Sequence, residues 1–173
     1  MNKKLDKKLV KNYPLLYQDR NKSPQLTLMC FGFMCGDGWY DLINNLSYLI
    51  ESNNKQQKKK NKPYMVAMEV KEKFGGLRFY TSWANVRYNK KGKSILSKED
   101  IENDNMIYNE INGYIRFAEA MSCCICEDCG NKGKLRNNLG WILTLCDKCY
   151  EEHVKKLKMR IQKGVSKCRH TKN

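Results

Sequence analysis

The sequence has little histidine: two residues in 173, His153 and His170, and neither lies where a metal-activated base would be sought. It has no apolar run approaching the length of a membrane span, which excludes a transmembrane helix on hydropathy. It has no internal repeat, which sets aside repeat architectures. The N-terminal stretch MNKKLDKKLVKNYPLLYQ has apolar runs of only two or three residues, interrupted by Pro14, so it does not read as a secretory leader. Acidic residues are scarce beside basic ones, 18 Asp and Glu against 33 Lys and Arg.

That imbalance gives a net charge of +15, carried by twenty-six Lys and only seven Arg. Such a charge points to nucleic acid or another acidic surface as partner. Compositional bias is the competing explanation, since eighteen Asn accompany the many Lys and Ile, as an A+T-rich gene would encode. Nine cysteines, an odd number, in a chain without an export signal point to a reducing compartment, metal binding and buried thiols. The expected location is the cytoplasm. An apolar content of 41% is close to the globular average, and the length suits one domain with a core, or a domain plus a small module.

Residues 11–30 read as a short helix and a turn at most. The stretch CGDGWYDLINNLSYLIES then starts a helix, with Asp37 as its cap and Asp41 in its first turn. Trp39, Leu42, Ile43, Leu46, Leu49 and Ile50 recur at helical spacing as its buried face. Residues 52–62 carry no apolar side chain and read as a solvated loop. Tyr64, Val66, Met68 and Val70, then Leu77, Phe79, Thr81 and Trp83, alternate on either side of a glycine-containing turn, an antiparallel hairpin. Residues 84–100 are polar and loop-like. Ser97 and Asp100 offer a capping box for a helix over 101–121, striped by Ile101, Tyr108, Ile111, Ile115 and Ala118 and weakened at Gly113. From Asp147 a last helix carries Tyr150, Val154, Leu157 and Ile161 on one face and basic residues on the others, before a disordered tail at 166–173. The expected class is α+β: a small antiparallel hairpin with packed helices over 1–121, and a cysteine module with a basic helix over 122–165.

The cysteines carry the sharpest signal. Cys126 and Cys129 form one Cys-x-x-Cys pair, Cys146 and Cys149 another, sixteen residues apart. Thiolates two residues apart can grip one edge of a zinc tetrahedron, and this separation fits a four-cysteine site. Gly130 follows where a knuckle turn needs positive φ. Between the pairs, KLRNNLGWILTL can form a hairpin turning at 137–140, and Cys149 opens the last helix, whose dipole helps hold thiolate charge. Knuckle, hairpin and helix together resemble a treble-clef zinc finger, holding one structural Zn²⁺. Cys123 also stands three residues before Cys126, so a register with Cys123 as ligand is open. Cys30 and Cys35 read as buried small apolar groups, or as part of a second site with Cys168 or His170. Treble-clef nucleases of the HNH kind take a base from a histidine between the ligand pairs. Residues 130–145 contain none, and a four-thiolate site leaves no position for water, so the metal reads as structural.

CGDGWYDLI, VKEKFGGLRFY and ICEDCG…GWILTLCDKC, in that order over about residues 13–150, resemble a group of small zinc-finger proteins of bacteriophages and prophages. The resemblance implies a phage-derived protein acting inside a bacterial host, with a C-terminal zinc finger. It supplies no activity.

Lys71, Lys73 and Arg78 interleave with Phe74 and Tyr80, a mixture suited to phosphate contact and base stacking. Equally, Phe74 can plug the core at the turn while Gly75 and Gly76 allow the reversal. The leading expectation is a non-enzymatic zinc protein that binds nucleic acid or a host nucleoprotein complex through Lys155, Lys156, Lys158 and Arg160, with the KEKFGGLRFY hairpin. One form of it is an inhibitor of a host defence machine such as a CRISPR effector. The alternatives are an accessory DNA-binding protein of phage replication or transcription, and a metal-dependent nuclease using Asp37, Asp41, Glu69 or Glu72. No membrane partner or small-molecule substrate is legible.

Overall fold

The computed structural model describes residues 1–84 and 98–169, with the backbone alone at 98–104 and 163–169. Of the loop expected at 84–100, residues 85–97 lie outside the described residues, as do the Ser97 cap and the last four residues, while 98–100 belong to a helix.

Helix α1 (Lys3–Asn12) begins where Asn2 turns its side-chain oxygen onto the amides of Lys4 and Leu5, both at 3.0 Å. The sequence reading had no helix here, because α1 is lysine-rich and buries one residue completely, Leu9. A turn through Leu16 and Tyr17 and a short 3-10 segment, Leu28–Phe31, lead into the two-residue strand β1 (Phe33–Met34).

Helix α2 (Tyr40–Lys59) follows a second 3-10 segment at Asp37–Trp39. Asp37 is therefore not its cap. Both carboxylate oxygens accept from Asn2, from its amide and from its side chain, each at 2.6 Å. Desolvation pulls the Asp37 pKa upward, but the two Asn2 bonds and the nearby terminal ammonium outweigh it and the net shift is down. Trp39, Ile43, Leu46 and Ile50 are buried as the periodicity predicts, while Leu49 is exposed.

The loop expected at 52–62 is mostly the second half of α2. Asn54 is fully buried and clamps the start of the next strand, its amide donating to the Met65 carbonyl at 2.7 Å and its carbonyl accepting the Met65 amide at 3.0 Å. Glu51, also buried, accepts the amides of Leu15 and Leu16. Polar side chains hold this half of the helix in place by satisfying backbone groups of neighbouring segments, a role that hydropathy does not register.

Strands β2 (Tyr64–Lys73) and β3 (Gly76–Ala84) form the expected hairpin. Its turn residues Phe74 and Gly75 both have positive φ, 55° and 77°, as the tight primed hairpin turns require. A bulge between Ala67 and Glu69 changes the phase of β2. Met65 and Ala67 thus join the main core where strict alternation predicts Tyr64, Val66 and Met68, and beyond the bulge Val70 joins it as expected. The sheet is mixed, not purely antiparallel: its order is β1-β2-β3, with β1 parallel to β2 through Phe33 beside Val70. Helix α3 (Lys98–Ser122) covers the open edge of β3. The Ser122 hydroxyl accepts the Leu77 amide at 2.8 Å and the Glu119 carboxylate accepts the Phe79 amide at 3.0 Å. Ile107, Ile111, Ile115 and Ala118 are buried on α3, and Tyr108 is exposed, contrary to the expected stripe. The class is α+β, and among the described residues no helix is long and apolar enough to cross a membrane.

Asn54→Ala leaves both Met65 backbone groups buried without partners and is expected to lower stability by about 3 kcal/mol in urea unfolding. Gly113 has nothing within 4 Å of the position a Cβ would take, so Gly113→Ala is expected to raise stability by about 1 kcal/mol in the same measurement.

Candidate metal centre

The knuckle forms first in the chain. Gly130 takes a φ of 78° and its amide returns to the Cys126 carbonyl at 2.9 Å, which turns Cys126 and Cys129 toward one point. Strands β4 (Lys134–Arg136) and β5 (Leu143–Leu145) make the expected hairpin, with Gly140 at a φ of 79° in its loop. Helix α4 (Asp147–Arg169) begins directly after Cys146 and carries Cys149 in its first turn.

These elements bring the four thiols together, with all Sγ atoms within 4.8 Å of one another. The Cys129 and Cys146 sulfurs are 3.7 Å apart. A tetrahedron with metal–sulfur bonds of about 2.3 Å has edges of about 3.8 Å, so the donor set fits one metal ion. Asn131 donates its side-chain amide to the Cys129 sulfur at 3.3 Å, and the Cys149 amide donates to the Cys146 sulfur at 3.4 Å, bonds that favour thiolate. The Cys129 thiol is drawn down to about 7 by the N–H of Asn131 and by its sulfur neighbours, whereas burial pushes Cys126 and Cys149 upward. Four thiols leave no open position in a tetrahedral arrangement, a donor set compatible with a structural metal site.

Cys123 is not in the cluster. It sits exposed just beyond α3 with its sulfur toward the Glu119 carbonyl, which closes the alternative register. Cys35 is buried, and burial raises its thiol to about 12; Cys30 is half-buried and turns its thiol to the Thr27 carbonyl. Among the described residues neither joins a second metal cluster, and the Cys168 side chain and His170 lie outside them.

The module is seated on the body by the same three motifs that stand out in the sequence. The Gly38 amide donates to the Glu127 carbonyl at 2.7 Å and the Gly36 amide to the Glu127 carboxylate at 2.8 Å. The Trp39 indole donates to the Ile125 carbonyl at 2.9 Å. A Cβ on Gly38 would lie 2.2 Å from the Cys126 carbonyl oxygen and 2.4 Å from the Gly130 nitrogen. Glycine is required there by contact, not by dihedral angle. Burial raises the pKa of Glu127, against the Gly36 amide that favours its charge. On the other side, Thr144 donates its hydroxyl to the Gly75 carbonyl and the Trp141 indole donates to Glu72 at 3.0 Å. CGDGW, KEKFGG and the cysteine module are thus three sides of one joint.

The remaining site residues divide. Phe74 does not plug the core: it is 61% exposed at the hairpin tip, with the Lys73 ammonium 4.6 Å from its ring centre. Lys71 pairs with Glu69 at 2.8 Å and lies over Tyr80, while Arg78 donates to the Leu77 carbonyl. Lys155, Lys156, Lys158 and Arg160 are exposed and have no ion pair among the described residues. The expected apolar stripe of α4 is exposed as well at Leu157 and Ile161, as is Met159, so beyond its first turns this helix has no buried face among the described residues. It also continues to Arg169, past the expected start of a tail. His153 meets Asp128 of the knuckle at 2.8 Å. Arg136 reaches Asp147 and stacks on Tyr150, fixing the start of α4. No spacing in the sequence announces these two contacts, nor the part played by Glu127.

The carboxylates considered for a nuclease do not gather. Asp37 serves Asn2, Glu69 pairs with Lys71, Glu72 holds the Gly75 amide and Trp141, and Asp41 lines a groove between α2 and α3. No family model, curated protein or solved structure matches the chain.

Gly38→Ala, which drives a methyl group into the knuckle backbone, is expected to cost about 3 kcal/mol and to loosen metal binding. Urea unfolding and competition against a chromogenic chelator measure the two effects.

Proposed function

We propose that this is a non-enzymatic zinc protein that binds nucleic acid, bare or within a host nucleoprotein complex, through α4. One observation carries the reading: α4 is exposed on every described face beyond its first turns, and residues 155–169 hold seven Lys or Arg and no acid. Like charges so concentrated repel one another, and they are relieved by phosphates whose counterions are released on binding. Exposed Leu157 and Met159 among the cations add apolar contact area. Phe74 with Lys73 at the hairpin tip, and Tyr80 with Lys71 further along the strands, supply ring surfaces suited to stacking on unpaired bases. Both elements adjoin the β4–β5 hairpin: the turn at Gly75 lies against Leu135, and α4 follows directly from β5.

The metal in this reading is Zn²⁺, for which a closed set of four thiolates is the usual structural site, and the knuckle, hairpin and helix form a treble clef. The three motifs shared with phage zinc-finger proteins support action in the cytoplasm of an infected or lysogenic bacterium. In a closed thiolate site metal affinity becomes folding free energy, about 10 kcal/mol in small fingers. Freshly purified protein should therefore contain one zinc per chain by elemental analysis. Cys129→Ser and Cys146→Ser should be insoluble or unfolded in the module, while Cys168→Ser should behave as the parent. Purified protein without zinc would contradict this.

Binding to duplex DNA or RNA should fall steeply with salt. Reversing Lys155, Lys156 and Lys158 to Glu should weaken it for every sequence tested, because lysines there meet phosphate and not base edges. The log–log salt slope on duplex DNA should shrink by about three. Unchanged binding by the reversed variant would sink the α4 reading. A host complex captured equally well with and without nuclease treatment would identify a protein partner instead of free nucleic acid.

A further inference from the structure

A cleft of about 440 Å³ opens between α1 and the turn at Arg20 and Asn21, on a part of the chain to which neither the metal module nor α4 assigns a task. Lys3, Lys7 and Lys11 line it at four-residue intervals along one stripe of α1. Like charges at that spacing repel within a helix, so the stripe does not serve helix formation. None of the three has an ion pair among the described residues.

The one carboxylate in the lining is already committed. Asp6 accepts from the Arg20 guanidinium at 3.1 and 3.3 Å and from the Phe33 amide at 3.4 Å. Arg20 is held in turn by the Cys30 carbonyl, which accepts from Nη1 at 2.9 Å. Its Nε is buried and has no hydrogen-bond partner, an unmet donor in a side chain that borders the cleft. The lining thus presents four cations, one of them neutralised, and the Arg20 side chain keeps a buried donor unmet.

We propose that this cleft is a second phosphodiester-binding site, in which Lys3, Lys7 and Lys11 track the backbone of a nucleic-acid strand beside the fixed guanidinium of Arg20. The inference rests on the nucleic-acid reading above and extends it to a surface remote in sequence from α4. Lys3 and Lys11 are separated by about 12 Å along the helix axis, too far for one phosphate to satisfy both, so the ligand is an extended polyanion. Val10 is the single apolar residue of the lining and no aromatic ring is present, so bases are not stacked there and the site reads charge without sequence. A concave cleft also favours a strand that can enter it over a flat anionic membrane.

The test uses the full-length, zinc-loaded protein with a twelve-nucleotide oligothymidylate, inorganic phosphate, and vesicles of phosphatidylglycerol in phosphatidylcholine. Two charge-reversed variants are compared: Lys3, Lys7 and Lys11 to Glu, and Lys155, Lys156 and Lys158 to Glu. The single Lys7→Glu variant guards against misfolding of the first. The oligonucleotide should shift the ¹⁵N and ¹H signals of Arg20 Nε in the parent protein and in the α4 variant alike. The α1 reversal should weaken binding at least tenfold and reduce the salt slope by about two, since each single-strand contact contributes about 0.7. The Lys7→Glu change alone should reduce affinity measurably.

If the α4 reversal weakens binding but α1 reversal leaves both affinity and the Arg20 signal as in the parent, the cleft proposal is wrong and the α4 reading stands. If only α1 reversal matters, the cleft stands and the α4 reading fails. Saturation of the Arg20 shift by millimolar inorganic phosphate, or tighter binding to anionic vesicles than to the oligonucleotide, overturns the assignment of a strand.

Discussion

The Gly38 amide meets the Glu127 carbonyl at 2.7 Å, and the rest of the architecture depends on that approach of two backbones. The module has a very small core of its own, Cys126, Leu145 and Cys149, with a few half-buried neighbours. A cluster of that size does not repay the conformational entropy of ordering its chain. The four clustered thiols offer a metal ion a place within, and the body offers a surface without. The body supplies that surface through Gly36, Gly38 and Trp39 on one side and the β2–β3 turn on the other. Because the contact is made by main chain, the side chain at 38 must be absent, and the orientation of the knuckle is fixed more tightly than side-chain packing would fix it.

The consequence for the proposed function is geometric. The knuckle holds α4 through His153 and Asp128, and β4 holds it through Arg136 and Tyr150. A helix that buries little of itself is thereby given a defined direction at its base. In the proposed function its cations would be delivered as a group, with the cost of orienting them met beforehand by the joint and by a metal bound at the four thiols. The same logic accounts for the absence of a gathered carboxylate site among the described residues: the acidic side chains in the motifs are occupied in holding amides and an indole.

Much of this was legible in the sequence, and the misses have physical causes. The cysteine spacing located the four-thiol cluster because ligand geometry constrains neighbouring residues in the chain. The start of α2 and the β2–β3 hairpin were legible because apolar periodicity and a glycine turn are local signals. Helix α1 was not, since lysines outnumber its buried positions. The second half of α2 was missed because its buried residues Asn54 and Gln57 read as polar, Asn54 being buried to hydrogen-bond the Met65 backbone. The bulge near Met68 put the residues before it, Met65 and Ala67, on the core face, while Val70 beyond it kept the inferred face. The motifs themselves were visible, but not that they touch. Gly38 and Cys126 are distant in sequence, and a glycine retained for close approach looks in isolation like a glycine retained for a turn.

The central claim is that metal, knuckle and GDGW segment form one cooperative unit, and native-state amide hydrogen exchange with and without a zinc chelator tests it most directly. With metal, the amides of Gly38, Cys126 and Glu127 should share a high protection. On chelation all three should lose it together, while the Met65 amide held by Asn54 in the main core should lose far less. A Gly38 amide that stays protected while Cys126 and Glu127 exchange freely would show that the module is only tethered to the body, and the account of a joint that orients α4 would be wrong.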